Sequence, residues 1–431
     1  MISYGISVVI LLAAAAGGFF GIRAAAGAVK ERAQAREEAR QAAIEESLAE
    51  ESMAAESAVA AMLEQSSESQ QETETETETY SLQDALEELV LESVGSLTLE
   101  QKVAGLFIVT PEQITGVGQA IQAGDGTKEA LEKYPVGGLI YTARNIQSQE
   151  QIQQMLSNTV SYSAFPLFLG VAEEGGNQAG VAEALGIEHP ASMAQIGASG
   201  DVQAAVDAGG TIGSYLVSCG FNLDFAPVAD VLVNAESPIG DRAFSGDAQA
   251  VSQMVTGMVQ GLQGSGVSAC LKYFPGLGSA SGDPAEGIAE TVRTKEEMTA
   301  EEFVPFAAGI AAGCDMIMVG NVTPTGLLGE DSVPASLSED VITGILRNEL
   351  SYNGIVITDA LDMAAVTEYY ESDIAAIMAL KAGADMVLMP QDFEKAYKGV
   401  IDAVHNGTIS EERIDDSLAR IYRVKLRGRI S

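Results

Sequence analysis

Tryptophan is absent from this chain of 431 residues, histidine occurs twice, cysteine three times, and 23 Lys and Arg face 61 Asp and Glu. Each scarcity removes a class of chemistry. Two histidines far apart in sequence, His189 and His405, do not make an imidazole-based metal site. His189 precedes Pro190 and reads as a loop residue, and His405 lies in a helix-like segment and reads as a surface residue. Cys219, Cys270 and Cys314 are too few and too scattered for a disulfide framework, and their spacing suits no metal. Each adjoins an apolar run, so buried thiols are expected. A net charge of -38 and a pI near 4.2 argue against nucleic acid as a partner, since phosphate binding needs clustered Lys and Arg. From Gln41 to Gln101 there is no Lys or Arg at all, while Glu recurs throughout.

Three textures follow one another along the chain, and they predict a division at 1–23, 24–81 and 82–431. Met1 to Ile22 carries no charged side chain and is long enough to span a bilayer, at about 20 residues per crossing. It reads as a signal anchor or a cleaved signal peptide. Arg23, Lys30, Arg32, Arg36 and Arg40 follow it, so the positive-inside rule taken literally puts the next segment in the cytoplasm. A long acidic stalk, in contrast, suits a domain held off a membrane. The expectation is a membrane-anchored protein with an extracellular barrel, or a secreted one if the first segment is cleaved. Ala24 to about Gln65 is rich in Ala, Glu, Arg and Gln and is expected to be helical in part. Ser66 to Tyr80, with the Glu-Thr alternation from Glu72 to Thr79, is expected to be a disordered, self-repelling linker.

From about Leu82 onward, short apolar runs alternate with amphipathic stretches. Eight runs stand out: Lys102–Val109, Gly137–Thr142, Pro166–Ala172, Asn222–Ala229, Ala269–Phe274, Asp315–Val322, Gly354–Asp359 and Ala384–Met389. Continuous apolar runs suit strands buried on both faces. Helical segments between most of them imply right-handed βαβ units, and eight units of this size fit a (β/α)8 TIM barrel. An open doubly wound sheet is the alternative, but Thr110-Pro111-Glu112 after the first run is no Gly-rich phosphate turn.

Barrel enzymes carry their chemistry at the C-terminal ends of the strands. Polar residues occur there one run after another: Glu173-Glu174-Gly175-Gly176 after the third, Asp230 and Gly240-Asp241-Arg242 after the fourth, Lys272 on the fifth, Asn321 on the sixth and Asp359 on the seventh. The stretch Lys272-Tyr273-Phe274-Pro275-Gly276-Leu277-Gly278, followed by Asp283-Pro284-Ala285-Glu286, is the most distinctive.

That stretch resembles the acid/base loop of family 3 glycoside hydrolases, in the branch of single-domain β-N-acetylhexosaminidases, where it reads K-H-F-P-G-H-G followed by D-x-H. Further segments share the resemblance: Gly137-Gly138-Leu139-Ile140, N-L-D-F-A-P-V-A-D from Asn222 to Asp230, G-D-R-A-F from Gly240 to Phe244, and Gly354 to Met363. It extends from Leu97 to Arg429. The resemblance implies a retaining β-N-acetylhexosaminidase-type hydrolase of amino-sugar or cell-wall glycans. Asp359 is then the nucleophile. Lys272 and Arg242 hydrogen-bond sugar hydroxyls, and Tyr273 and Asn321 join them as substrate-binding residues. No metal or organic cofactor is implied, and the expected barrel is monomeric.

The departures from the family pattern are specific. Tyr273, Leu277 and Ala285 stand where histidines are usual, and Ala172, Asn177 and Gly180 replace the Asp and two Arg of the third-strand motif. Ala285 occupies the place of the acid/base His, leaving Asp283 and Glu286 as candidate proton donors. Larger members recruit a carboxylate from a second domain, and none is expected after the eighth unit. The alternative reading is a catalytically impaired member that binds glycan or a partner at the cell surface. A changed substrate, with Tyr273 stacked on the sugar, is a further one.

Overall fold

The computed structural model describes residues 81–427. The expected membrane segment at 1–23, the stalk up to Tyr80 and residues 428–431 lie outside the described residues. Among the described residues no helix is long and apolar enough to cross a membrane. The chain divides into two compact units, with the helix Leu82–Gly95 in one and residues 96–425 in the other.

The second unit is a parallel barrel jacketed by helices. Its strands are β1 (Phe107–Val109), β2 (Gly138–Ile140), β3 (Phe168–Val171), β4 (Leu223–Asp224), β5 (Ser268–Phe274), β7 (Met316–Val319), β9 (Ile355–Thr358) and β10 (Val387–Leu388), and they neighbour one another in the order β10-β1-β2-β3-β4-β5-β7-β9. A single parallel bridge, Ile357 to Met386, brings β9 against β10 and all but closes the ring. Almost every strand residue is buried, because the strands face side chains inside and helices outside. All eight expected runs supply a barrel strand.

The strands are shorter than the runs. Lys102–Ala104 belongs to the helix Leu99–Ala104, started by a reciprocal cap between Thr98 and Gln101. Lys102 reaches Glu411 at 2.8 Å and Asp415 at 2.7 Å. A second, two-stranded sheet pairs β6 (Ala289–Glu290) with β8 (Val322–Thr323), and the apolar pattern gives no sign of it. Glycines in the left-handed region end two jacket helices: Gly220 (φ 100°) turns the chain toward β4, and Gly383 (φ 116°) turns it toward β10.

The N-terminal end of the barrel is locked by one buried carboxylate. Asp385, just before β10, accepts from Arg347 at 2.5 Å, Ser417 at 2.8 Å, Val356 N–H at 2.9 Å and Arg420 at 3.1 Å, with Arg413 at 3.7 Å. The three cysteines are free and buried, as their apolar surroundings imply.

Candidate active site

At the opposite, C-terminal mouth the organising group is Glu174. It follows β3 on a turn that needs glycine twice: Gly175 and Gly176 have φ of 86° and 53°, and a Cβ on Gly176 would lie 2.8 Å from Ser192. The Glu174 carboxylate is buried and takes both forks of Arg242, Nε at 2.9 Å and Nη2 at 2.7 Å, and Lys272 Nζ at 2.5 Å. Burial alone would raise its pKa, but the two cations outweigh it and hold Glu174 down at about 2. Burial alone would lower the Lys272 pKa, and Glu174 outweighs it, so the pKa is raised. The Arg242 Nη2 also donates to the Tyr273 hydroxyl at 2.7 Å. The phenol therefore accepts from the guanidinium and keeps its own proton to give elsewhere. Its neighbour Glu173 points the other way, accepting from Val181 and Ala182 N–H and from the Tyr215 hydroxyl.

Three more buried carboxyls lie near the Arg242–Lys272 pair. Asp359 ends β9 and is 4% exposed; its Oδ1 accepts Ala360 N–H at 2.8 Å. Burial pushes its pKa to about 6, against the pull of Ala360 N–H, Lys272 and Arg242. Asp224, at the end of β4, accepts Glu173 N–H on Oδ1, while its buried Oδ2 meets no protein partner. Burial, the largest cause, raises its pKa well above the ordinary 3.8. Asp230 shapes the Phe-Pro-Gly turn by accepting N–H from Tyr273 at 3.1 Å, from Gly278 at 3.0 Å and from Leu277.

The loop after this turn is fastened on both flanks. Ser281 pairs with Glu290 of β6, and Ser279 meets Thr291 at 2.8 Å. On the other flank Ala365 N–H, in the segment after Asp359, donates to Pro284 O at 3.0 Å. β6 pairs with β8, which starts beside Asn321. Asn321 Nδ2 donates to Ala360 O at 2.8 Å. A closed circuit of backbone and amide contacts thus links Asp359 to the loop of Asp283 and Glu286.

Residues 98–424 match the N-terminal domain of glycosyl hydrolase family 3. The chain belongs to that family. It is 32% identical over 327 residues to beta-hexosaminidase A of Pseudoalteromonas piscicida, covering 69% of this chain and 54% of that protein. It is 34% identical over 278 residues to a beta-hexosaminidase of Idiomarina loihiensis, covering 64% of this chain and 82% of that protein. Among solved structures, the family 3 beta-N-acetylglucosaminidase from Paenibacillus sp. str. FPU-7 superposes with a TM-score of 0.73 at 34% identity, over 78% of this chain and 63% of that one. The chain therefore spans only part of two of these relatives.

Against the glycosyl hydrolase family 3 pattern, the structure brings Lys272, Arg242, Tyr273 and Asp359 to one mouth. Arg242 pairs with Glu174, not with the neighbouring Asp241. Asn321, expected to contact sugar, is instead a buried brace: its Nδ2 holds Ala360 O and its Oδ1 accepts from Ser336 at 2.6 Å. Asp283 Oδ1 is taken by Ala285 N–H at 2.9 Å, which makes it a turn-former. Glu286 stands exposed at the loop tip. The sequence shows Glu174 among the polar residues after the third run, and its role as the partner of both cations is not visible there. The signal was present only as an acid before two glycines.

Proposed function

We propose that the chain is a β-N-acetylhexosaminidase-type glycoside hydrolase acting with retention of configuration, with Asp359 as nucleophile. The observation that carries this reading is the state of Asp359. It ends a barrel strand beside Lys272 and Arg242, with Oδ1 held by Ala360 N–H and Oδ2 left for a substrate. In such a mechanism the carboxylate attacks the anomeric carbon as the bond to the leaving-group oxygen breaks. Water then attacks the glycosyl-enzyme and frees Asp359. Two Nη1 hydrogens of Arg242, the Tyr273 hydroxyl and the spare Lys272 donors are the groups left to bind sugar hydroxyls.

The leaving oxygen needs a proton, and a general acid is worth roughly 10²–10⁴-fold. Ala285 has none to give. Glu286 is the carboxyl in this loop whose oxygens are not taken by its own turn, so it is the donor in this reading. Its exposure favours a second reading, a glycan-binding member with weak hydrolysis. Two aryl β-N-acetylglucosaminides, one with an activated and one with a poor leaving group, separate these. The hydrolase reading expects turnover of the activated substrate and its loss by on the order of 10⁴-fold or more in Asp359→Asn. Turnover of neither substrate would discard it. Glu286→Gln should slow the poor leaving group far more than the activated one, and equal rates would remove Glu286 as the acid.

A further inference from the structure

Asp359 is aimed by a clamp that begins outside the barrel strands. Its own N–H donates to Val319 O on β7 at 2.8 Å. The peptide beyond Ala360 is held on both edges: Asn321 Nδ2 donates to Ala360 O at 2.8 Å, and Leu361 N–H donates to Leu388 O on β10 at 2.9 Å. Between these two anchored peptides lies Ala360 N–H, which donates to Asp359 Oδ1 at 2.8 Å. A peptide unit is rigid and turns only about φ and ψ, so anchoring its neighbours sets the direction of that N–H. The Asn321 amide is fixed in turn by one hydroxyl. Ser336, in the short helix Ala335–Leu337, donates from Oγ to Asn321 Oδ1 at 2.6 Å and from its N–H to Gly320 O at 3.0 Å. Ala360 O can only accept, so it faces Nδ2, and Oδ1 is left to face a donor. Asn321 and Ser336 are both fully buried, so bulk water does not replace the hydroxyl.

We propose that Ser336 is a positioning residue for the nucleophile, acting through Asn321 and the Ala360 peptide. The proposal rests on the hydrolase reading above, with Asp359 attacking. Without the hydroxyl, a buried Oδ1 has no donor, and the Asn321 amide turns to find one. Ala360 O then loses its clamp, and Ala360 N–H drifts from Asp359 Oδ1. Oδ2 no longer meets the anomeric carbon at a fixed angle. Burial is the main influence on the Asp359 carboxyl, and Ala360 N–H, Lys272 and Arg242 work against it. Asp362 repels its charge, and the Tyr273 hydroxyl and Cys270 thiol interact with it from β5. Ser336 and Asn321 carry no charge. Their loss therefore reaches Asp359 only as movement of the N–H that supports the ionised carboxylate.

The test compares the full chain with Ser336→Ala, Asn321→Leu and the double variant. On the activated aryl β-N-acetylglucosaminide, kcat/KM should fall on the order of 10- to 100-fold in each single variant, since about 1 Å of misplacement costs up to about 10²-fold. The dissociation constant for N-acetylglucosamine should stay at the parental value, because the clamp holds none of the Lys272, Arg242 and Tyr273 donors. The acid limb of the kcat/KM profile reports ionisation of Asp359 in the free enzyme, and it should move to higher pH. Adding Ser336→Ala to Asn321→Leu should lower kcat/KM no further. Additive losses, an acid limb that stays in place, or a loss of sugar affinity that accounts for the whole effect overturns the proposal. A second readout needs no turnover. The aspartate carboxyl carbon resonance missing from Asp359→Asn belongs to Asp359, and its titration midpoint in Ser336→Ala should lie above the parental one. An unmoved midpoint overturns the proposal. A parent that turns over no substrate removes the hydrolase reading instead, and the midpoint still decides whether Ser336 orients the Asp359 carboxylate.

Discussion

The two ends of the barrel each bury a carboxylate among cations, and they finish the job differently. At the N-terminal end Asp385 meets Arg347, Arg413 and Arg420, and each arginine also donates to a protein carbonyl: Arg347 to Tyr352 O and Gly354 O, Arg413 to Ala384 O, Arg420 to Asp416 O. These contacts tie the anion and its cations to the frame of the barrel. At the C-terminal mouth Glu174 meets Arg242 and Lys272, and both cations keep donors without protein partners. Beside them stand Asp359 and Asp230, with pKa values raised to about 6, and Asp224, also raised by burial. A closed network is a fastener. An open one, with carboxyls poised to titrate, is the arrangement expected where chemistry occurs.

The sharpest way to break this contrast is to remove each anion in turn. Asp385→Ala leaves three guanidiniums converging on an empty site, and breaking such a buried pair costs about 3–5 kcal/mol. The unfolding free energy should fall by an amount near the top of that range, while kcat per folded molecule stays unchanged. A lowered kcat with intact stability would dissolve the distinction between the ends. Glu174→Gln should cost less, about 3 kcal/mol, because the amide oxygen still accepts and Lys272 has other carboxyls within reach. Its kinetic effect should be the larger one: a raised KM for aryl N-acetylglucosaminides as Arg242 and Lys272 lose their anchor. Denaturant melts beside steady-state kinetics read both quantities. A Glu174→Gln protein with native KM would make Glu174 a fastener like Asp385.

What could be read from the sequence divides along the same line. Barrel strands were legible because burial on both faces writes itself as unbroken apolar runs, as in Ile355–Thr358. Lys102–Ala104 failed because an apolar run of that length does not separate helix from strand, and the Thr98–Gln101 cap decided it. β6 and β8, with two residues each, are too short to carry a period. At the site, sequence motifs gave the residues but not their directions. Nothing in the neighbourhood of Arg242 says that its fork reaches across to Glu174 and bypasses Asp241 beside it. Nothing around Asn321 says that its amide faces the Asp359 strand. Those choices are made by strands far apart in sequence and adjacent in the ring.

The smallest effect is the one that dissects the mouth by pH. Asp359 in the folded chain has a pKa of about 6, against an ordinary 3.8. Between those values the folded state holds the proton more tightly than the unfolded one, so stability falls as pH rises from about 4 to about 6. Asp230, also raised to about 6, acts in the same direction. Glu174 acts oppositely, but its folded pKa of about 2 and ordinary value of 4.5 confine its effect to lower pH. In the window from pH 4.5 to 6 the slope comes from Asp359 and Asp230 together with the other carboxyls that burial raises, Asp224, Glu173 and Asp362. Asp359 and Asp230 each contribute about 2–3 kcal/mol, from roughly two pKa units at about 1.4 kcal/mol per unit. Asp359→Asn should make the protein more stable at pH 7 than the parent and make the slope of unfolding free energy against pH shallower within that window. A slope unchanged by Asp359→Asn would mean that Asp359 is not the buried, proton-holding group at the mouth, and the contrast with the closed end would lose its main support.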